Sequence, residues 1–209
     1  YAREKLDASG ETESVRNRHL DFFLALVEDA DSKPETVKQM IWKNTVSKEF
    51  DNIRIAVTQP SQAKSIHDKQ IRLICDLRWF WREYGNAKEG RAWAERALAL
   101  VDATQHTYAY GTTLLTAGVA AFLQQDNTVA QTRFEQSSAI LAELGTIGKT
   151  NHTEALSMLG LLAMSRQDMQ SARGYYERVL ILSRELHNNF YNAQALNGLA
   201  CILVAEGDL

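Results

Sequence analysis

The sequence predicts an all-α chain, a right-handed α-solenoid of antiparallel helical pairs, on three observations. Only 2 of its 209 residues are proline, while Ala, Leu, Glu, Arg and Gln are plentiful, and 45% of the residues are hydrophobic. That composition favours helix and can bury a sizeable core. Apolar residues recur at three- and four-residue spacing instead of alternating, as in Val15, Leu20, Phe22, Phe23, Leu26 and Val27, the pattern of an amphipathic helix. Finally, "LGLLAMSRQDMQSARGYYERVLIL" (159–182) repeats "AGVAAFLQQDNTVAQTRFEQSSAIL" (117–141), with Gly118 and Gly160, Asp126 and Asp168, Ala130 and Ala172, and Phe134 and Tyr176 each 42 residues apart. Repetition at a fixed period marks an array of stacked units.

In chain order, "YAREKL" (1–6) reads as the end of a helix that begins upstream, broken at Ser9-Gly10. A buried amphipathic helix is expected from Glu11 to Asp29. Ser32, Pro34 and Glu35 then form a capping box for a helix carrying Val37, Ile41, Trp42, Val46, Phe50, Ile53 and Val57 on one side, ended by "QPSQ" at 59–62. Residues 11–65 are thus a diverged helical pair at the N-terminal end of the array. The next helix runs from about His67 to Tyr84 and opens the first clear repeat. The repeats are expected at about 66–104, 105–146, 147–188 and 189–209, the last stopping where the chain stops and leaving Leu196, Leu199 and Leu203 partly uncovered.

Each repeat is a helix, a tight turn at Gly85-Asn86, Asp126-Asn127, Gln167-Asp168 or Gly207-Asp208, and a second helix. The Asp or Asn is placed to cap the second helix, and Asn86 has Glu89 three residues on, as in a capping box. Gly118, Gly160, Ala130 and Ala172 allow close helix approach, and Phe134 or Tyr176 fills the space between neighbouring pairs. This pattern resembles the tetratricopeptide repeat, carried best by Leu159-Gly160, Ala172 and Tyr176. The first unit departs from it, with Arg78 and Ala94 where glycine and the aromatic are expected, and the period exceeds the usual value of about 34 residues.

"LGTIGKTN" (144–151) contains Gly148-Lys149-Thr150, the last three letters of a phosphate-binding loop. The required first glycine would fall at position 143, which is Glu143, and the preceding residues read as helix, not strand. In the repeat register these residues join two helical pairs. Gly145 ends one helix, and Thr150 or Asn151 caps the next.

Chemistry of other kinds lacks its residues. The net charge of −3 calls for neither nucleic acid nor an anionic membrane. No apolar run approaches a membrane span, and Cys75 and Cys201, in apolar stretches, read as buried thiols of a reducing, cytoplasmic compartment. His19, His67, His106, His152 and His187 have no partner at metal-ligand spacing, and no nucleophile motif occurs. No catalytic residue, cofactor or metal is expected. Trp79, Phe80, Trp81 and Tyr84 read as core plus groove lining, and Lys33, Lys38, Lys43 and Lys48 spiral round a solvated helix.

"YAREKLDASGE", "RHLDFFLALVE", "EFDNIRIAV" and "WFWREYGNAKEGRAWAERAL", followed by the repeat residues, resemble in order and spacing the bacterial signal-transduction ATPases with numerous domains, the STAND class, as in MalT-like, AfsR-like and some LuxR-type transcriptional regulators. The resemblance implies that residues 1–10 close a winged-helix segment behind an upstream NB-ARC-like ATPase domain, and that the ATPase and any DNA-binding part lie outside this chain. Carrying the tetratricopeptide inward positions over by register gives a concave groove of Arg72, Cys75, Trp79 and Arg82; Thr112, Leu115, Val119 and Phe122; Glu154, Ser157, Leu161 and Met164; and Gln194, Asn197 and Cys201. Cys75, Trp79 and Glu154 stand where a carboxylate clamp would need Lys and Asn, so the groove suits an amphipathic helix or a small apolar effector. Two readings stand: a non-catalytic sensor or scaffold that binds a protein or small effector and regulates the ATPase, and a structural self-assembly array, a homo-oligomer with no ligand of its own. Equally, the groove residues either face a partner or pack against one another.

Overall fold

The protein is described here from a computed structural model that covers residues 5, 8–31, 44–84 and 86–207. It is all-helical, with ten helices and no strand among the described residues. The chain divides into two compact units, residues 1–86 and 87–209. The boundary falls between Asn86 and Ala87, inside the expected first repeat. The expected capping box at Ser32, Pro34 and Glu35, the residues Val37, Ile41 and Trp42, and the turn residue Asp208 lie outside the described residues.

The first unit holds α1 (Thr12–Asp31), α2 (Phe50–Thr58), α3 (Lys64–Asp76) and α4 (Arg78–Tyr84). α1 packs on both α2 and α3, burying Leu20, Phe23, Val27, Ile53, Val57, Leu73 and Ile74. Gln70, fully buried on α3, donates to the carbonyls of Ala56 and Gln59 and so ties the end of α2 to α3. Phe50 stacks on Phe80 with ring centroids 5.1 Å apart and meets Trp81 edge-on at 5.4 Å, so two of the clustered aromatics are core. Two expectations are corrected here. Phe22 points outward and is 61% exposed, because its neighbours Leu20, Phe23 and Val27 already fill the face that packs. The single helix expected from His67 to Tyr84 is two helices meeting at Leu77. Arg78 is buried there, and its Nη1 donates to the Cys75 carbonyl at 3.0 Å. A side chain drawing a carbonyl out of the helical ladder is a recognised cause of a break.

The second unit holds α5 (Ala87–Leu100), α6 (Tyr108–Leu123), α7 (Asn127–Glu143), α8 (Lys149–Ser165), α9 (Met169–Glu185) and α10 (Asn189–Glu206). Each helix packs on the next, and α6 with α8, and α8 with α10, also touch. Short turns make consecutive helices antiparallel. Asp126 and Asp168 cap α7 and α9 as expected, accepting from the amides of Val129 and Ser171. The residues just before them, Gln125 and Gln167, both lie at φ 62°, in left-handed backbone. Each helix of a pair approaches the other over a glycine. A β-carbon on Gly118 would fall 2.6 Å from the Phe134 ring, and one on Gly160 would fall 3.0 Å from the Tyr176 ring. Tyr176 also reaches the following pair, where a β-carbon on Gly198 would meet it at 2.5 Å.

Polar links repeat with the helices. At one end of the pairs, Arg91 on α5 donates to Gln124 and pairs with Asp126 at 2.8 Å, Gln131 on α7 accepts from Arg166, and Arg173 on α9 pairs with Glu206. At the other end, His106 faces Glu143 at 2.7 Å and Lys149 pairs with Glu185 at 3.0 Å.

Candidate functional site

Three helices in the second unit, α6, α8 and α10, occupy equivalent positions and were expected to line a groove. α6 is packed by α5, α7 and α8, and α8 by α6, α7, α9 and α10. Surrounded in this way, they bury nearly all of their length: Gly111–Ala121 of α6 and Asn151–Gly160 of α8 lie inside.

Part of what they bury is polar, and it is satisfied across the pairs. Asn151 Nδ2 donates to Tyr108 Oη at 2.9 Å and to Thr112 Oγ1 at 3.1 Å, tying α8 to α6. Ser137 Oγ donates to the Gly111 carbonyl at 2.7 Å. Ser138 Oγ lies 3.1 Å from Nδ1 of the buried His152. Burial, and then the positive charge of Arg178, holds the His152 pKa below the usual histidine value of 6.5, against the opposing hydrogen bond with Ser138. This seam was not foreseen, apart from Thr112. Its partners lie 14 to 43 residues apart, a separation that helical periodicity does not register.

The expected groove residues separate into three kinds. Leu115 and Glu154 are at most 1% exposed, so they present no surface to a partner. For both, their burial matches the packing alternative, and the cause is the enclosure of α6 and α8 by neighbours on several sides. Thr112, Val119 and Ser157 are buried in the same way, as is Cys75 in the first unit. A second kind remains half-buried at the edge of the enclosed faces: Phe122 on α6, Leu161 and Met164 on α8, and Gln194 on α10. A third kind is open, with Asn197 and Cys201 exposed on α10. Exposure of Cys201 corrects the expectation of two buried thiols; neither cysteine is in a disulfide.

Phe122 and Met164 are 42 residues apart on touching helices, and a further 40 residues reaches Val204, 64% exposed on α10. Val204 was missed, although the repeat register that selected the other two leads directly to it. Along the same faces, Ser157 Oγ and Gln194 Oε1 find no hydrogen-bond partner among the described residues. In the first unit, described by itself, Arg72 is exposed and pairs with Glu28 at 2.6 Å. Arg82 lies over the half-buried Trp79 ring, 4.8 Å from its centroid, a cation–π arrangement. That unit also has a cleft of about 380 Å³ between the start of α1 and the α2–α3 loop, lined by Arg16, Gln59 and Gln62 among others. None of the expected site residues lies in it.

Gly148-Lys149-Thr150 is a structural connection. Gly145 adopts φ 58° just past α7, as expected of a helix-ending glycine. The expected cap at Thr150 or Asn151 is corrected, because α8 starts earlier, with Gly148 before Lys149 and no capping side chain. Asn151 is drawn inside by Tyr108 and Thr112. Lys149 spends its charge on Glu185, at the place where the preceding pair sets His106 against Glu143.

No group of three metal-ligating side chains occurs among the described residues, and no described helix is long and apolar enough to cross a membrane. No protein-family model matches the chain, and no curated protein matches it. Among solved structures, the chain is similar to BtubC (BKLC) from P. vanneervenii, with a TM-score of 0.64 and 16% sequence identity over 92% of this chain and 85% of that one. At that identity the likeness is one of fold.

Proposed function

We propose that this chain is a non-catalytic recognition module, an α-solenoid of tetratricopeptide-like pairs whose first helices bind an amphipathic helix or a small apolar effector. The observation that carries the reading is the stripe of Phe122, Met164 and Val204, one repeat position on three successive first helices, each left at least partly open, the first two beside buried neighbours (Val119 and Ala121, Gly160 and Ala163). Leu161 lies one turn before Met164. Gln194 and Asn197 add polar groups two to three turns before Val204 on α10. An apolar stripe rimmed by a few polar groups is the chemistry of a helix-binding groove, and large side chains such as Phe and Met are its usual anchors. Within this reading the module serves a bacterial signal-transduction regulator and reports effector binding to an upstream NB-ARC-like ATPase. The order and spacing of "YAREKL", "RHLDFFLALVE" and the repeat residues support that assignment.

Selection of displayed amphipathic peptides against the 209-residue chain tests the groove. Peptides selected on the parent should lose about 2 kcal/mol or more of binding on Phe122→Ala or Met164→Ala, with the melting temperature barely changed. If both substitutions cost the roughly 3–5 kcal/mol of an emptied core site and leave peptide binding intact, the stripe is packing and the groove reading fails.

A further inference from the structure

The cleft of the first unit, about 380 Å³, has the size of a small-molecule site. Its walls come from residues 12–16 of α1 and from residues 59–66, the α2–α3 loop and the start of α3. Hydrogen bonds fix those walls. Gln59 Nε2 donates to the Arg16 carbonyl at 3.2 Å, and Nε2 of the buried Gln70 donates to the Gln59 carbonyl at 2.9 Å. Within the loop, Ser61 Oγ accepts from the Ala63 amide, and the Ser61 carbonyl lies 2.9 Å from His67 Nε2. The cleft is therefore preformed, and a ligand entering it need not order a loop.

Two charges of opposite sign line it. Glu13 and Arg16 stand three residues apart on α1, a spacing at which side chains can pair across one turn. They do not pair. Among the described residues, neither the Glu13 carboxylate nor the half-buried Arg16 guanidinium takes part in an ion pair or a hydrogen bond. Pro60, Ala63 and the buried Ile66 supply an apolar wall.

We propose that this cleft binds a free α-amino acid with an apolar side chain. The ligand's carboxylate meets the Arg16 fork, whose planar donors match two oxygens at once. Its ammonium meets Glu13, and its side chain lies on Pro60, Ala63 and Ile66. A ligand bearing both charges gives each group of the cleft a partner, whereas a simple anion would leave Glu13 beside a like charge and a simple cation would do the same to Arg16. The two ligand charges sit on one carbon, which suits two side chains reaching in from neighbouring turns.

Calorimetric titration of the 209-residue chain with leucine, N-acetylleucine and leucinamide tests the assignment. Leucine should saturate the chain at millimolar concentration or below. Removing either ligand charge should weaken binding about tenfold or more, as expected for the loss of one charge-assisted hydrogen bond. Arg16→Gln and Glu13→Gln break no contact of the fold, so each should leave the melting temperature unchanged while weakening leucine about tenfold. The variants and ligands should also match in pairs. Glu13→Gln should not weaken N-acetylleucine further, nor Arg16→Gln leucinamide. The proposal is overturned by no saturation at millimolar leucine, by equal affinity for the three compounds, or by leucine binding that survives both substitutions. It is equally overturned if Phe122→Ala abolishes leucine binding, since the ligand then sits on the stripe of the second unit.

Discussion

A β-carbon built on Gly148 would lie 2.0 Å from the carbonyl oxygen of Leu141 and 2.8 Å from its carbonyl carbon. The obstacle is backbone, which cannot rotate away as a side chain can. Gly148→Ala should therefore cost about 3 kcal/mol or more, beyond ordinary overpacking, measured by urea unfolding; a loss below about 1 kcal/mol would remove this explanation. Lys149→Ala, which breaks a half-exposed ion pair, should cost no more than about 1 kcal/mol. His152 supplies a pH dependence. Its folded pKa is depressed, so the unfolded chain binds the proton more readily, and stability is whole above the ordinary value of 6.5 and falls as pH drops through it. Asp126 and Asp168 are held below their ordinary 3.8 by Arg91 and Ser171 respectively, so their own losses come at lower pH still. Replacing His152 by Gln should flatten the stability profile between about pH 7 and pH 5; an unchanged slope would assign it elsewhere. At this scale the sequence was half legible. Gly145 could be read as a helix end, because left-handed backbone after a helix selects glycine. The need for Gly148 could not, because it comes from a carbonyl seven residues back that only the folded turn brings near.

The helices of the second unit are set by a small number of repeated devices, and these were mostly readable. Asp126 and Asp168 stand before helical runs and cap them, so each Asp→Ala substitution should cost about 1 kcal/mol, seen as a lower urea midpoint with unchanged slope; no change would mean that water caps these helices equally well. Gly118 and Phe134 form a single fitting. Gly118→Ala alone should destabilise by about 1–3 kcal/mol, and part of that loss should be recovered when Phe134→Leu is added. A double-mutant cycle with no coupling would show that the glycine serves something other than the ring. Periodicity failed where two elements impose a choice on a third. The break at Leu77 follows from Arg78 taking the Cys75 carbonyl, and a long apolar run such as "LICDLRWFW" gives no sign of it. Likewise, the register chose helices that neighbour one another, but it left open whether Leu115 and Glu154 face a partner or pack. Enclosure depends on how many helices surround α6 and α8, which is not written in either helix.

Across the second unit, protection should follow enclosure. α8 packs on α6, α7, α9 and α10, whereas among the described residues α10 packs on α8 and α9. Hydrogen exchange followed by mass spectrometry should find the amides of α8 slowest and those of α10 faster, since local opening costs least where burial is least; equal rates would imply that the unit opens only as a whole. The links between pairs carry a further consequence. Positions 91, 131 and 173 reach forward to 124 and 126, to 166, and to 206, so each seam joins the same two places with a different choice of residues. A gene segment encoding residues 126–167, copied in tandem, would meet at its new junction a glutamine in left-handed backbone followed by an Asp cap, and each copy would bring its own donor–acceptor pair between positions 131 and 166. Such a chain can grow by duplication without inventing a contact.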